Sequence, residues 1–68
     1  MADDAIISAK IRALREEKGV SEMDMANAVG TPLTLYRVFE TSPSKFAETM
    51  LEKAANVLGV EVSDLGGE

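Results

Sequence analysis

The carboxylates that could do acid–base chemistry, Glu16, Glu17, Glu48 and Glu52, fall at ordinary solvated helix positions, and the chain has neither histidine nor cysteine to join them. An imidazole base, a thiolate nucleophile, a disulfide frame and a zinc site are therefore out of reach. No glycine-rich loop precedes a helix to cradle a phosphate. The chain is not expected to be an enzyme, and no metal, cofactor or small-molecule ligand is expected. The chemistry left to it is recognition through surface cations, hydroxyls and apolar side chains.

With 68 residues there is room for one domain and one core, and hence one main task. The apolar set is Ala, Leu, Val, Ile and Met, with Tyr36, Phe39 and Phe46 the aromatics, which favours helices over strands. The formal net charge is −5, unevenly spread. Four basic residues balance four acidic ones over 1–20, one meets three over 21–41, and two meet five over 42–68. Asp3 and Asp4 stand where a signal peptide would be basic, and the apolar runs are short, so a soluble cytoplasmic protein without a membrane span is expected.

Helical periodicity organises the chain. Ile7, Ile11 and Leu14 share one face of a first helix over about 4–18, started by Asp3 or Asp4 and stopped at Lys18 and Gly19. Ser21, with Asp24 three residues on, is a variant capping box opening a short second helix whose inner face is Met25, Ala26 and Val29 and whose stop is Gly30. Thr31 as cap and Pro32 at the first helical position open a third helix running to about Glu40. Leu35, Tyr36 and Phe39 make its inner face, and Leu33 and Val38 cannot all join them, so some apolar surface faces outward. Ser42 or Ser44 caps a fourth helix containing Phe46, Met50, Leu51, Ala54, Ala55 and Leu58, ended by Gly59. Val60, Val62 and Leu65, with Ser63 as cap, add a terminal turn before a flexible tail at 66–68.

Residues 22–40 thus read as two short helices joined by a tight turn, a helix-turn-helix: Ala26 is small where the helices cross, Gly30 tolerates positive φ, and Tyr36 and Phe39 lock down over Met25 and Val29. The opening I-R-A-L-R-E-E-K-G-V-S at 11–21 and the closing L-G-V-E-V-S-D-L at 58–65 then matter together. With the Ala–Gly turn between them, the chain resembles the phage-repressor or Xre-type helix-turn-helix domains over about 7–65. That resemblance implies an all-α, four- to five-helix lambda-repressor-like domain. It also implies a pairing of Arg15 with Glu40, a DNA-binding transcriptional regulator of phage or mobile-element type, and a homodimer joined near Val60, Val62 and Leu65.

By the same resemblance the third helix enters the major groove of double-stranded DNA. Pro32, Leu33, Thr34 and Val38 then lie at base edges, Arg37 lies near the backbone, and Ser21 meets phosphate. The sequence departs from the usual polar readers there: Leu33 and Val38 can touch only thymine methyls, Pro32 offers no donor, and Glu22 would repel phosphate. Arg37 and Lys45, with Arg12 as a third, are the available cations, each with a bland role as a solvated charge. Three roles fit Leu33 and Val38: packing on a partner subunit or on Phe46, a protein-binding patch, or contact with base methyls. Met23 reads as a lone exposed residue. The second functional reading is a helix-turn-helix fold used as a protein-interaction module that does not bind DNA specifically.

Overall fold

A computed structural model of the chain describes residues 4–65; Asp3 as a candidate cap and the tail at 66–68 lie outside the described residues. Four helices, α1 (Asp4–Glu17), α2 (Glu22–Val29), α3 (Leu33–Thr41) and α4 (Glu48–Leu58), are joined by short links, with 3-10 turns at Pro43–Lys45 and Val62–Leu65. No strand occurs among the described residues.

The boundaries of α2 follow its sequence signals. Ser21 Oγ accepts the Asp24 N–H at 3.0 Å. Gly30 sits at φ 75°, ψ 41°, and its N–H turns back to the carbonyls of Ala26 and Asn27. Nothing lies near where a Cβ on Gly30 would point, so its backbone conformation, not crowding, is what calls for glycine here.

Elsewhere the signals act differently from the sequence reading. Pro32 itself occupies the cap position of α3 at φ −62°, ψ 151°, so the helix starts one residue later than expected and no side chain caps it. Ser42 and Ser44 do not cap α4, which begins after Ala47 without a side-chain cap. Pro43 instead starts a 3-10 turn that faces Ser44 back towards α1. The Ser44 N–H donates to Asp4 Oδ1 at 3.1 Å and its hydroxyl donates to Asp4 Oδ2 at 2.7 Å. Phe46 therefore precedes α4 in extended backbone and sets its ring edge-on to Phe39, centroids 5.6 Å apart. Ser63 and Asp64 both lie inside the last 3-10 turn, and Asp64 Oδ2 accepts the Glu61 N–H at 2.9 Å just before it.

One core joins all these elements: Ile7 and Ile11 from α1, Met25, Ala26 and Val29 from α2, Tyr36 and Phe39 from α3, and Ala54, Ala55 and Leu58 from α4, closed by Leu65. Leu65 is fully buried and so is not available to a dimer surface, while Val60 and Val62 pack partly against the same core and stay partly exposed. A chain this short has little apolar volume to spare, and the terminal turn is used to seal α1 against α4.

Glu40, 2% exposed, is the one charged residue in the interior of the described chain. Its Oε2 accepts from Arg15 Nε at 3.1 Å and from the Tyr36 hydroxyl at 2.5 Å, while its Oε1 lies 3.4 Å from Arg12 Nε and 3.5 Å from an Arg15 terminal nitrogen. Arg15 also donates to the Val20 carbonyl at 3.3 Å, tying the exit of α1 into the same cluster. Burial pulls the Arg15 guanidinium down, but the hydrogen bond and charge of Glu40 outweigh it and leave the group above its ordinary value. Burial first, then the Glu40 hydrogen bond and charge, push the Tyr36 phenol far above its ordinary 10.0.

Removing one partner of a buried ion pair leaves the other charge uncompensated. Glu40→Ala should cost about 3 to 5 kcal/mol in urea unfolding, enough to leave a domain of this size largely unfolded; an unchanged melting midpoint would overturn the assignment. Unfolded Tyr36 titrates near 10.0 and folded Tyr36 well above it. Its contribution is therefore intact below about pH 10 and is lost as pH rises beyond that, at up to about 1.4 kcal/mol per pH unit. Tyr36→Phe should remove that part of the alkaline loss of stability, and the same loss in both proteins would count against it.

Candidate functional site

Glu40 fixes which side of α3 is inside. At 3.6 residues per turn, Tyr36, Phe39 and Glu40 span the inner face, and the opposite side carries a row of Thr34, Val38 and Thr41 with Leu35 on one flank and Arg37 on the other. Leu33 lies at the edge of the inner face and packs partly against the core. This corrects two expectations: Leu35 is not inside but 48% exposed, and Leu33 is not an outward residue. Val38 is 47% exposed, at the centre of the outer row. The missed signal was available: once Glu40 is assigned to Arg15, Glu40 and Tyr36 define the inner stripe and Leu33, at i−3 from Tyr36, follows them, leaving Leu35 outside.

The remaining candidates fall around this row. Pro32 is exposed just before α3, and Ser21 is exposed at the start of α2, where its oxygen is engaged by the Asp24 N–H and its hydroxyl proton stays available to donate. Arg37 is exposed, with its Nε 3.3 Å from Glu22 Oε1. Thr41 Oγ1 donates to the Arg37 carbonyl at 3.1 Å, so this hydroxyl is already engaged along its own helix. Lys45 is exposed on the 3-10 turn and forms no ion pair with a described residue. Arg12, although exposed, is engaged with Glu40 and belongs to the brace between α1 and α3. Met23 is exposed on α2, as expected.

The distribution of charge changes the meaning of the net −5. Across residues 25–47 the only carboxylate is Glu40, which is buried and met by Arg15. The surface contributed by this stretch therefore carries two exposed cations, Arg37 and Lys45, and no carboxylate of its own. The acidic residues that border it are Glu22, against Arg37; Asp4, taken up by Ser44; and the exposed Asp24 and Glu48 at its two ends. An exposed pair such as Glu22–Arg37 contributes at most about 1 kcal/mol and is readily exchanged for another anion.

A shallow cleft of about 190 Å³ lies between the start of α1, the first 3-10 turn and α4, floored by Ile7, Pro43, Phe46 and Leu51. It is smaller than sites that enclose organic ligands. Among the described residues no His, Cys, Asp and Glu cluster could hold a metal ion, and no helix is long and apolar enough to cross a membrane.

The two leucines should behave oppositely on substitution. Leu33→Asp should lower stability by about 2 kcal/mol through lost packing and a half-buried carboxylate, whereas Leu35→Asp should stay within about 0.5 kcal/mol. Thermal melts of both variants test this, and equal losses would overturn the assignment of faces. Comparison with protein-family models, with curated proteins and with solved structures found no match to this chain.

Proposed function

We propose that this chain is a repressor-type helix-turn-helix domain that binds duplex DNA as a transcriptional regulator, laying the outer row of α3 in the major groove. The observation that carries this reading is the surface of residues 25–47, where a chain of net charge −5 presents Arg37 and Lys45 and no exposed carboxylate. A short capped α2, a left-handed Gly30 and an α3 held from behind by Glu40 suit the same role, because a helix that reads a groove must be locked in rotation. Thr34 and Val38 reach base edges, Arg37 and Lys45 meet phosphates, and the Ser21 hydroxyl donates to the backbone. Leu33 serves packing in this scheme, and Pro32 only shapes the entry to the helix.

Two cation–phosphate contacts per protomer, from Arg37 and Lys45, give weak binding, so the regulator acts as a homodimer on two half-sites. With Leu65 in the core, the dimer contact uses surface other than that residue.

A second reading rests on a separate observation. Leu35 and Val38 are each about half exposed on a helix whose one cation is already paired, a surface that also suits a protein partner. Fluorescence anisotropy on a labelled duplex separates the two. Under the DNA reading the salt dependence has a slope of about −2 per protomer, and Glu22→Gln, which frees Arg37, tightens binding a few-fold, within about 1 kcal/mol. No binding to any duplex at low salt would end the DNA reading and leave the protein-interaction module.

A further inference from the structure

We infer that the outer row of α3 selects A·T-rich DNA through thymine 5-methyl groups; this rests on the duplex-binding reading and names the bases that reading would favour. The row consists of Thr34, Val38 and Thr41, with Leu35 beside it, and the Thr41 hydroxyl is already bonded to the Arg37 carbonyl. What the row offers a ligand is therefore methyl surface plus a single free hydroxyl on Thr34. Guanine presents two acceptors that call for a bidentate cation, and the only cation on α3, Arg37, lies on the flank of the row against Glu22. Cytosine presents a donor that calls for a carboxylate, and the row has none, since the only carboxylate of α3, Glu40, is buried on the opposite side. Thymine matches both features at once: its methyl meets Val38 and Leu35, and its O4 accepts from the Thr34 hydroxyl. The half-exposed Val38 gains most, because it stands at the centre of the row.

The test compares short alternating duplexes of dA·dT, dA·dU and dG·dC in one buffer at low salt. Uracil keeps the O4 acceptor and lacks only the methyl, so it isolates the apolar contact. Each methyl lost should weaken binding about fourfold, the equivalent of about 0.8 kcal/mol for one methylene-sized group, with dG·dC weakest. Val38→Ala should shrink the ratio between thymine and uracil duplexes towards one, whatever it does to the affinity for either duplex alone, and an unchanged ratio would overturn the assignment of the methyl contact to this side chain. Equal binding of thymine and uracil duplexes would overturn the methyl inference while duplex binding itself stood. Absence of binding to all three would overturn the duplex reading beneath it.

Discussion

A carboxylate withdrawn from water has to find partners, and the way Glu40 finds them organises this domain. Arg15 reaches it from α1, and Tyr36 reaches it from one turn earlier in α3. Because these bonds have direction as well as strength, they set the rotation of α3 about its axis, which apolar packing alone specifies loosely. Phe39 follows onto the core beside Tyr36, Phe46 meets Phe39 edge-on, and the first 3-10 turn is placed between α3 and α1. Buried ion pairs are poor sources of net stability but good fixers of geometry. Here the geometry fixed is that of the outward helix face.

The same contact disposes of a charge. Counted along the sequence, α2 and α3 look acidic; counted by exposure, α3 has lost its only carboxylate to the interior, while Glu22 and Asp24 of α2 stay at the surface. Electrostatic attraction acts through what faces the solvent, so the inward turn of one side chain alters which partners this surface can approach. The bulk negative charge elsewhere still removes long-range steering towards an anionic partner. Short-range complementarity is what the α3 surface has to offer.

Most of the fold was legible in the residues. Four helices follow from apolar spacing, and Ser21, Gly30 and Gly59 mark boundaries as their chemistry requires. The misreadings share a cause. Ser42, Ser44 and Thr31 are good caps by residue type, yet a hydroxyl bonds whatever polar group the fold brings near, and for Ser44 that group is Asp4, forty residues away in the chain. Leu35 and Leu33 were exchanged for a related reason: on a nine-residue helix with apolar residues nearly all round, spacing permits more than one inner stripe. Leu65 looked like free apolar surface because nothing local shows that a terminal turn folds back on α1.

What the sequence by itself determined was local: helical content, the capped start of α2, the left-handed stop at Gly30, and the absence of the side chains that imidazole or thiolate chemistry would need. These depend on residues within a few positions of one another, where φ preferences and hydrogen-bond reach are decided by residue type. Only the tertiary structure decided which face of α3 is outside, that Leu65 is core, and that Arg37 stands beside Glu22. Each of those depends on contacts between residues far apart in the chain, where a buried charge must meet its partner and a small core must be closed on every side.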